Sequence, residues 1–440
     1  MSGPPAAVAP SPAPTRTRYW VVAFGVALAV IQYVDRVCIS QAAPLISRDL
    51  RLTDWQMGWV FALFTLAYAL FEIPCGWLGD RIGPRKVLLR IVLWWSFFTT
   101  ATGWAWSWVS LSATRFLFGA GEAGCFPNLT KALNRWLPVR ERSRAQGLLW
   151  MSARWGGAAT PLLVFFTLQF VPWRTAFLLF GLLGVLWAAA FFAWYRDDPR
   201  EHPAVNAAEA ALLPPEPAVP SHDVEVPWGL WLRSRTVWCL CGQYWALSYV
   251  WYFFITWFPT YLLKARGFDM RQSAWLAGLP LLLGGFGSLA AGWLAPGLGR
   301  RLGSARWARR GLGAFGNLGG AVLLVVSTLL ADPYLAVLAI ALVSFFNDLA
   351  VPGSWATCMD IGGRCVATLG GVMNMMGNLG GFVSPIVTGY VVERTGSWTL
   401  TFFVSAAVYV LGAACWLALD PVTPLEEPRA GTSRGAAAGI

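Results

Sequence analysis

Apolar runs of about 20 residues recur from one end of the chain to the other, separated by short clusters of charge, glycine and proline. A run of that length lets an α-helix cross roughly 30 Å of hydrocarbon at about 1.5 Å per residue. The pattern predicts helices over 19–41, 56–79, 87–107, 109–131, 144–168 and 173–195, then 236–262, 272–295, 310–331, 333–356, 366–391 and 397–419. A transmembrane barrel would instead show shorter segments of alternating polarity. Residues 196–235 break the pattern with Asp197-Asp198-Pro199, further prolines and mixed charge. This stretch reads as a linker, a tether between two groups of helices. The expected fold is therefore all-α, a membrane protein of twelve transmembrane helices in two six-helix bundles. Its parts are a tail (1–18), a first bundle (19–195), the linker (196–235), a second bundle (236–420) and a second tail (421–440).

Composition agrees. Of 440 residues 57% are hydrophobic and 12% charged, about half the charged share of a soluble domain. The net charge of +11 invites a nucleic-acid reading, which the placement of the basic residues removes. With the N-terminus inside, 23 of the 33 Lys and Arg residues fall in cytoplasmic segments, seven in external loops and three within helices. That asymmetry follows the positive-inside rule and predicts a multi-pass protein of the cytoplasmic (inner) membrane with both termini cytoplasmic. Ser40-Gln41-Ala42 is a weak match to a signal cleavage site, but the charged pair Asp35-Arg36 inside the preceding run argues for an uncleaved first helix. The eight cysteines lie in or beside helices with no metal-ligand spacing, and read as buried free thiols. His202 and His222 both fall in the linker, so a proton relay within the membrane must use carboxylates.

The halves look duplicated. Gly76-Trp77-Leu78 ends the second predicted helix and Gly292-Trp293-Leu294 ends the eighth. Gly147, Met151, Gly156, Gly157 and Pro161 of the fifth helix recur as Gly371, Met375, Gly380, Gly381 and Pro385 of the eleventh, each 224 residues on. In that register Arg154 corresponds to Asn378. Internal repeats of this kind mark secondary transporters, whose solute site lies near the midplane between the halves.

The segment Gly76–Lys86 (GWLGDRIGPRK) resembles the loop motif of the major facilitator superfamily, and the resemblance runs over nearly the whole helical region. Tyr33-Val-Asp-Arg36, Arg115–Pro127 (RFLFGAGEAGCFP), Gly370–Pro385, Trp257–Tyr261 (WFPTY) and Lys264–Phe268 (KARGF) resemble its anion:cation symporter group. That group includes bacterial galactonate, glucarate and hexuronate transporters and, more distantly, sialic acid and vesicular glutamate carriers. The resemblance implies a conformational latch in the loop made of Gly76, Asp80, Arg81, Gly83, Arg85 and Lys86, with Asp80 beside its basic neighbours. The second-half copy has Pro296 where the first has Asp80, so the latch is expected to be asymmetric.

Ionisable residues inside a bilayer are expensive and point to function. Asp35 and Arg115 each lie about 9 Å in from the outer ends of their helices. Glu122 follows Arg115 by seven residues, two turns on and nearly on the same face. Burial raises a carboxyl pKa and a neighbouring guanidinium lowers it, so Asp35 and Glu122 are the expected proton-coupling pair, a role the resemblance also implies. Arginine grips a planar carboxylate through two parallel hydrogen bonds. Arg36 and Arg154 are thus the candidates for the substrate anion, with Arg115 sharing that task or pairing with an acid. Tyr33, Tyr68, Gln243, Trp355 and Asn378 are candidates to read the rest of a hydroxylated solute; Tyr68 also resembles a family position near the site. Glu72 could pair with the basic inner loop, and Asp348 has no evident role.

The chain lacks a phosphate-binding loop, a nucleotide motif and a membrane-enzyme signature. Its fifth helix reads Gly156-Gly157-Ala-Ala-Thr-Pro161, without the G-x-x-x-G-P run of many antiporters of the superfamily. The expected function is proton-coupled symport of a small organic anion such as a sugar acid, by a monomer that needs no cofactor, metal or nucleic acid. Its partners would be the carboxylate solute, protons and the lipid bilayer. An exporter of drugs or metabolites on the same fold and a non-transporting solute sensor remain alternatives. The residues fit a sugar acid, another dicarboxylate or an aromatic acid alike, and leave Na⁺ coupling open.

Overall fold

The computed structural model describes residues 13–214 and 225–425. Most of the first tail, the middle of the linker with His222, and most of the second tail lie outside the described residues. The first half holds α1 (Arg18–Leu50), α2 (Asp54–Ile82), α3 (Pro84–Thr102), α4 (Trp108–Glu122), α5 (Cys125–Trp136), α6 (Val139–Phe170) and α7 (Trp173–Trp194). Two short helices, α8 (Ala207–Ala210) and α9 (Trp228–Arg233), flank the undescribed part of the linker. The second half holds α10 (Arg235–Thr256), α11 (Phe258–Ala265), α12 (Met270–Ala277), α13 (Leu279–Leu302), α14 (Ala305–Leu329), α15 (Pro333–Ile361), α16 (Val366–Thr395) and α17 (Trp398–Ala418).

These make twelve passes, because α4–α5, α10–α11 and α12–α13 are each one predicted run folded as two helices. The first break is forced at Gly124, where φ is +78° and a Cβ would sit 2.3 Å from that of Cys75. At the other two, Pro259 and Pro280 stand in the first turn of the following helix, where a missing N–H costs nothing. Eight helices among the described residues are long and apolar enough to cross a membrane by length and composition alone. Large apolar side chains such as Trp20, Phe166, Leu186, Trp293 and Phe382 stay exposed on the outside, the surface a bilayer would cover.

In the first half α1 packs on α6 and α7, α2 on α4, and α3 on α4 and α7. In the second, α10 packs on α16 and α17, α13 on α15, and α14 on α15 and α17. The repeat read from sequence governs how the halves meet. Helix α2 crosses α16, and α6 crosses α13. A Cβ on Gly76 would lie 2.4 Å from the Ala367 carbonyl oxygen, and one on Gly147 would lie 2.8 Å from Gly292 Cα. Small residues let these backbones touch, as membrane helices require in the absence of a hydrophobic drive between them.

The linker is not a free tether along its described part. Glu209 accepts hydrogen bonds from Thr15, Thr17 and Arg18 of the N-terminal segment, and Arg18 also bonds Glu141 at the start of α6.

Candidate functional site

Between the halves lies a cavity of about 1480 Å³. Tyr33, Arg36, Tyr68, Arg115, Arg154 and Asn378 line it, and its mouth is formed by Gln41 and Pro44 of α1, Leu263 of α11 and Trp275 of α12. Those are the helix ends remote from the N-terminal segment and the linker. Toward the linker end the cavity stops at aromatic rings. Phe126 stacks on Trp150 at 4.5 Å, Trp355 lies 5.7 Å from Trp150, and the Trp355 indole donates to the Tyr244 hydroxyl at 3.0 Å.

The charged residues converge, but in two layers. Arg36 donates through Nε and Nη2 to Glu122 Oε1 at 3.1 and 2.8 Å, under the rings of Tyr68, Phe64 and Tyr33. Arg115 rests on Phe118 at 4.1 Å, with its Nε and Nη1 making no hydrogen bond. Asp35 and Glu122 do not line the cavity; both are buried behind it. Asp35 is fully enclosed, with Glu122, Arg115 and Trp95 as neighbours and no salt bridge to a base among the described residues. The layering follows from helix geometry. Adjacent residues point about 100° apart, so Arg36 facing the cavity turns Asp35 toward α3 and α4.

Arg154 has a partner that the sequence left unassigned. Its Nε and Nη2 bond both oxygens of Asp348 on α15, at 2.6 and 3.0 Å, so one ion pair joins the two halves beside the cavity. Trp251 covers the guanidinium at 3.4 Å, and Nη1 reaches the Tyr33 hydroxyl at 3.4 Å.

Other expectations need correction. Gln243 is fully buried away from the cavity: its amide nitrogen donates to Leu240 and its oxygen accepts from Ser354, tying α10 to α15. Trp355 lies beneath the cavity, not on its wall. Glu72 does not meet the basic loop, since its carboxylate accepts from Asn374 of α16. Tyr33, Tyr68 and Asn378 do line the cavity, and Asn378 accepts from Tyr252 at 3.1 Å.

At the closed end Asp80 is fully buried and accepts from Lys131 Nζ at 2.6 Å. It also accepts from the Ala367 and Thr368 amides at 3.1 and 2.6 Å and from the Thr368 hydroxyl at 2.6 Å. Asp80 of one half thus caps the α16 N-terminus of the other, where orphan amides and the helix dipole favour an anion. Its partners are not the expected ones. Arg81 lies over Trp77, and Arg85 bonds the Phe192 carbonyl and, by its amide, Asp197. Neither these nor Lys86 hydrogen-bonds Asp80. Gly83, at φ +87°, brings the chain so close to Asp197 that a Cβ would collide with that carboxylate. Burial pushes the Asp197 carboxyl above its ordinary range, although Arg135 and the Arg85 amide pull it back. A second cluster, Asp360 between Arg142 and Arg309, ties α6 to α15 at the same end.

The comparisons agree with this geometry. The family model for the Major Facilitator Superfamily matches residues 25–385. A probable sulfoacetate transporter of Cupriavidus necator is 36% identical over 420 residues, covering 94% of this chain and 96% of that protein. A probable galactarate/D-glucarate transporter of Escherichia coli is 32% identical over 420 residues, covering 90% of each. Among solved structures, a superfamily transporter crystallised in the outward conformation, FucP, superposes with a TM-score of 0.71 at 14% identity, over 91% of this chain and 99% of that one. The chain belongs to the Major Facilitator Superfamily. It is a multi-pass membrane transporter and not an enzyme.

Proposed function

We propose that the chain takes up a small organic anion of the sugar-acid type together with protons, across a cytoplasmic membrane with both termini inside. The similarity to transporters named for sulfoacetate and for galactarate and D-glucarate supports the solute class. The observation that carries the coupling is the arrangement of Arg36 on the cavity wall with Glu122 directly behind it. Protonating Glu122 dissolves the ion pair and leaves an uncompensated guanidinium facing the cavity, where a substrate carboxylate takes the bidentate place. Protonating Asp35 removes a carboxylate charge near Arg115, which also lines the cavity, and so leaves that guanidinium freer for an anion. Anion and proton then favour each other's binding, which is the linkage that symport needs. The cavity mouth faces away from the linker end, so this is the state that receives solute from outside. Rocking of the halves then exposes the site inward.

Reconstituted protein with an inward proton gradient tests the reading. Asp35→Asn is expected to abolish uphill accumulation while sparing solute counterflow, which needs no net proton movement. Undiminished uphill uptake by Asp35→Asn would remove that residue from the mechanism, and the same result for Glu122→Gln would remove the proposed coupling.

A further inference from the structure

Arg36 and Arg154 both reach the cavity and both are held by a carboxylate behind the wall: Glu122 for Arg36, Asp348 for Arg154. Each uses Nε and Nη2 for that pair and keeps Nη1 outside it. The two guanidinium groups flank one side chain, Tyr33. Arg36 lies 5.5 Å from the Tyr33 ring centroid, and Arg154 Nη1 lies 3.4 Å from its hydroxyl. Both guanidinium groups thus meet the same tyrosine on the same cavity wall, one at its ring and one at its hydroxyl, where two anionic groups of one short molecule could be met.

Arg154 is also held rigidly. Asp348 binds it through both oxygens and is itself fixed by the Asn347 amide at 3.0 Å, while Trp251 lies flat against the guanidinium. A buried ion pair is weak evidence for stability, since apolar side chains join helices as well. A cation placed on a cavity wall with a donor left over is better explained by a ligand. The repeat adds that the matching position of the second half is the neutral Asn378, so the poles are the two first-half arginines.

We propose that Arg154 is a second anion-binding pole and that the cavity selects short dianions, one end held by Arg36 and the other by Arg154 across Tyr33. This rests on the anion-transport reading above and names its substrate class. Asp348 is the positioning residue that sets the plane of Arg154.

The test compares D-glucarate, anionic at both ends, with D-gluconate, equal in length but anionic at one, using sulfoacetate as a shorter dianion. Binding to purified protein and competition in counterflow are measured. The wild-type protein is expected to bind the dianions about tenfold or more tightly than D-gluconate. Arg154→Gln should bring that preference to within about twofold, by a loss of dianion affinity several times larger than any loss for D-gluconate. Because Arg154→Gln strands the Asp348 charge, Arg154→Gln/Asp348→Asn is measured beside it and is expected to show the same loss. Equal losses for mono- and dianion in the double variant would overturn the proposal. So would a wild-type protein without dianion preference, although anion transport would then stand. No binding of any of the three acids would overturn both readings.

Discussion

In the proposed cycle the arginine at position 36 would serve two acceptors in turn, an exchange its shape permits. A planar guanidinium can hold Glu122 through Nε and Nη2 and offer the same fork to a substrate carboxylate when Glu122 is protonated. Lysine keeps the charge but presents a point donor. Arg36→Lys is therefore expected to weaken substrate affinity by about tenfold or more with normal expression, measured as binding to purified protein; equal affinity would exclude a bidentate contact. At this scale the sequence located the buried charges better than it told where they point. Asp35, Arg36, Arg115 and Glu122 stood out as charges within apolar runs, and the structure brings them to or just behind one cavity wall. The places of Gln243 and Trp355 were not legible, because their helices had to be rotated about their axes before a wall could be told from an interior. Asp348 was visible as a lone acid, but its partner lies 194 residues away in sequence.

Helix ends and crossings hold the two halves together at the closed end. At the closed end α2 lies against α16 because Gly76 has no side chain, and Asp80, one turn on, caps α16. Gly76→Val would thrust a branched side chain into the Ala367 carbonyl, with only backbone to yield. The expected result is a folded protein that still binds solute in detergent but whose counterflow falls by about tenfold or more, because this end no longer closes. Wild-type counterflow would show that the crossing need not be tight. The loop motif was legible as an element, since its glycines and charges stand out in sequence. Its bonding was not: a motif places Asp80 at a helix end, but only the fold brings the α16 amides and Lys131 to it, and only the fold turns Arg81 and Arg85 away.

The whole molecule is two related halves joined firmly at one end and parted at the other. The duplication read from spaced glycines marked α2, α6, α13 and α16 as repeated elements; that the halves meet along these helices is seen only in the fold. It could not say which end is shut, because both arrangements of a rocking pair use the same residues. The structure shows Asp80 with its α16 cap, and Asp360 with Arg142 and Arg309, all at the linker end. Removing one charge-assisted cluster tests how the balance is set. Hydrogen bonds to a charged group contribute about 1.5–3 kcal/mol each, and about 1.4 kcal/mol changes a two-state ratio tenfold. Asp80→Asn, which also strands Lys131, should therefore move the population markedly away from the state seen here, closed at the linker end. Ser40→Cys, on the cavity wall of α1, reports that population through its reaction with a membrane-impermeant thiol reagent added outside. Most native thiols are buried, and Cys239 and Cys415 are only partly exposed, so labelling of the parent protein gives the background. The Ser40→Cys rate is expected to fall about tenfold or more when Asp80→Asn is added, and to fall in the same direction with Gly76→Val. An unchanged rate in both would mean that the closed end is held by the Asp360 cluster and the aromatic floor, with the loop motif as a bystander.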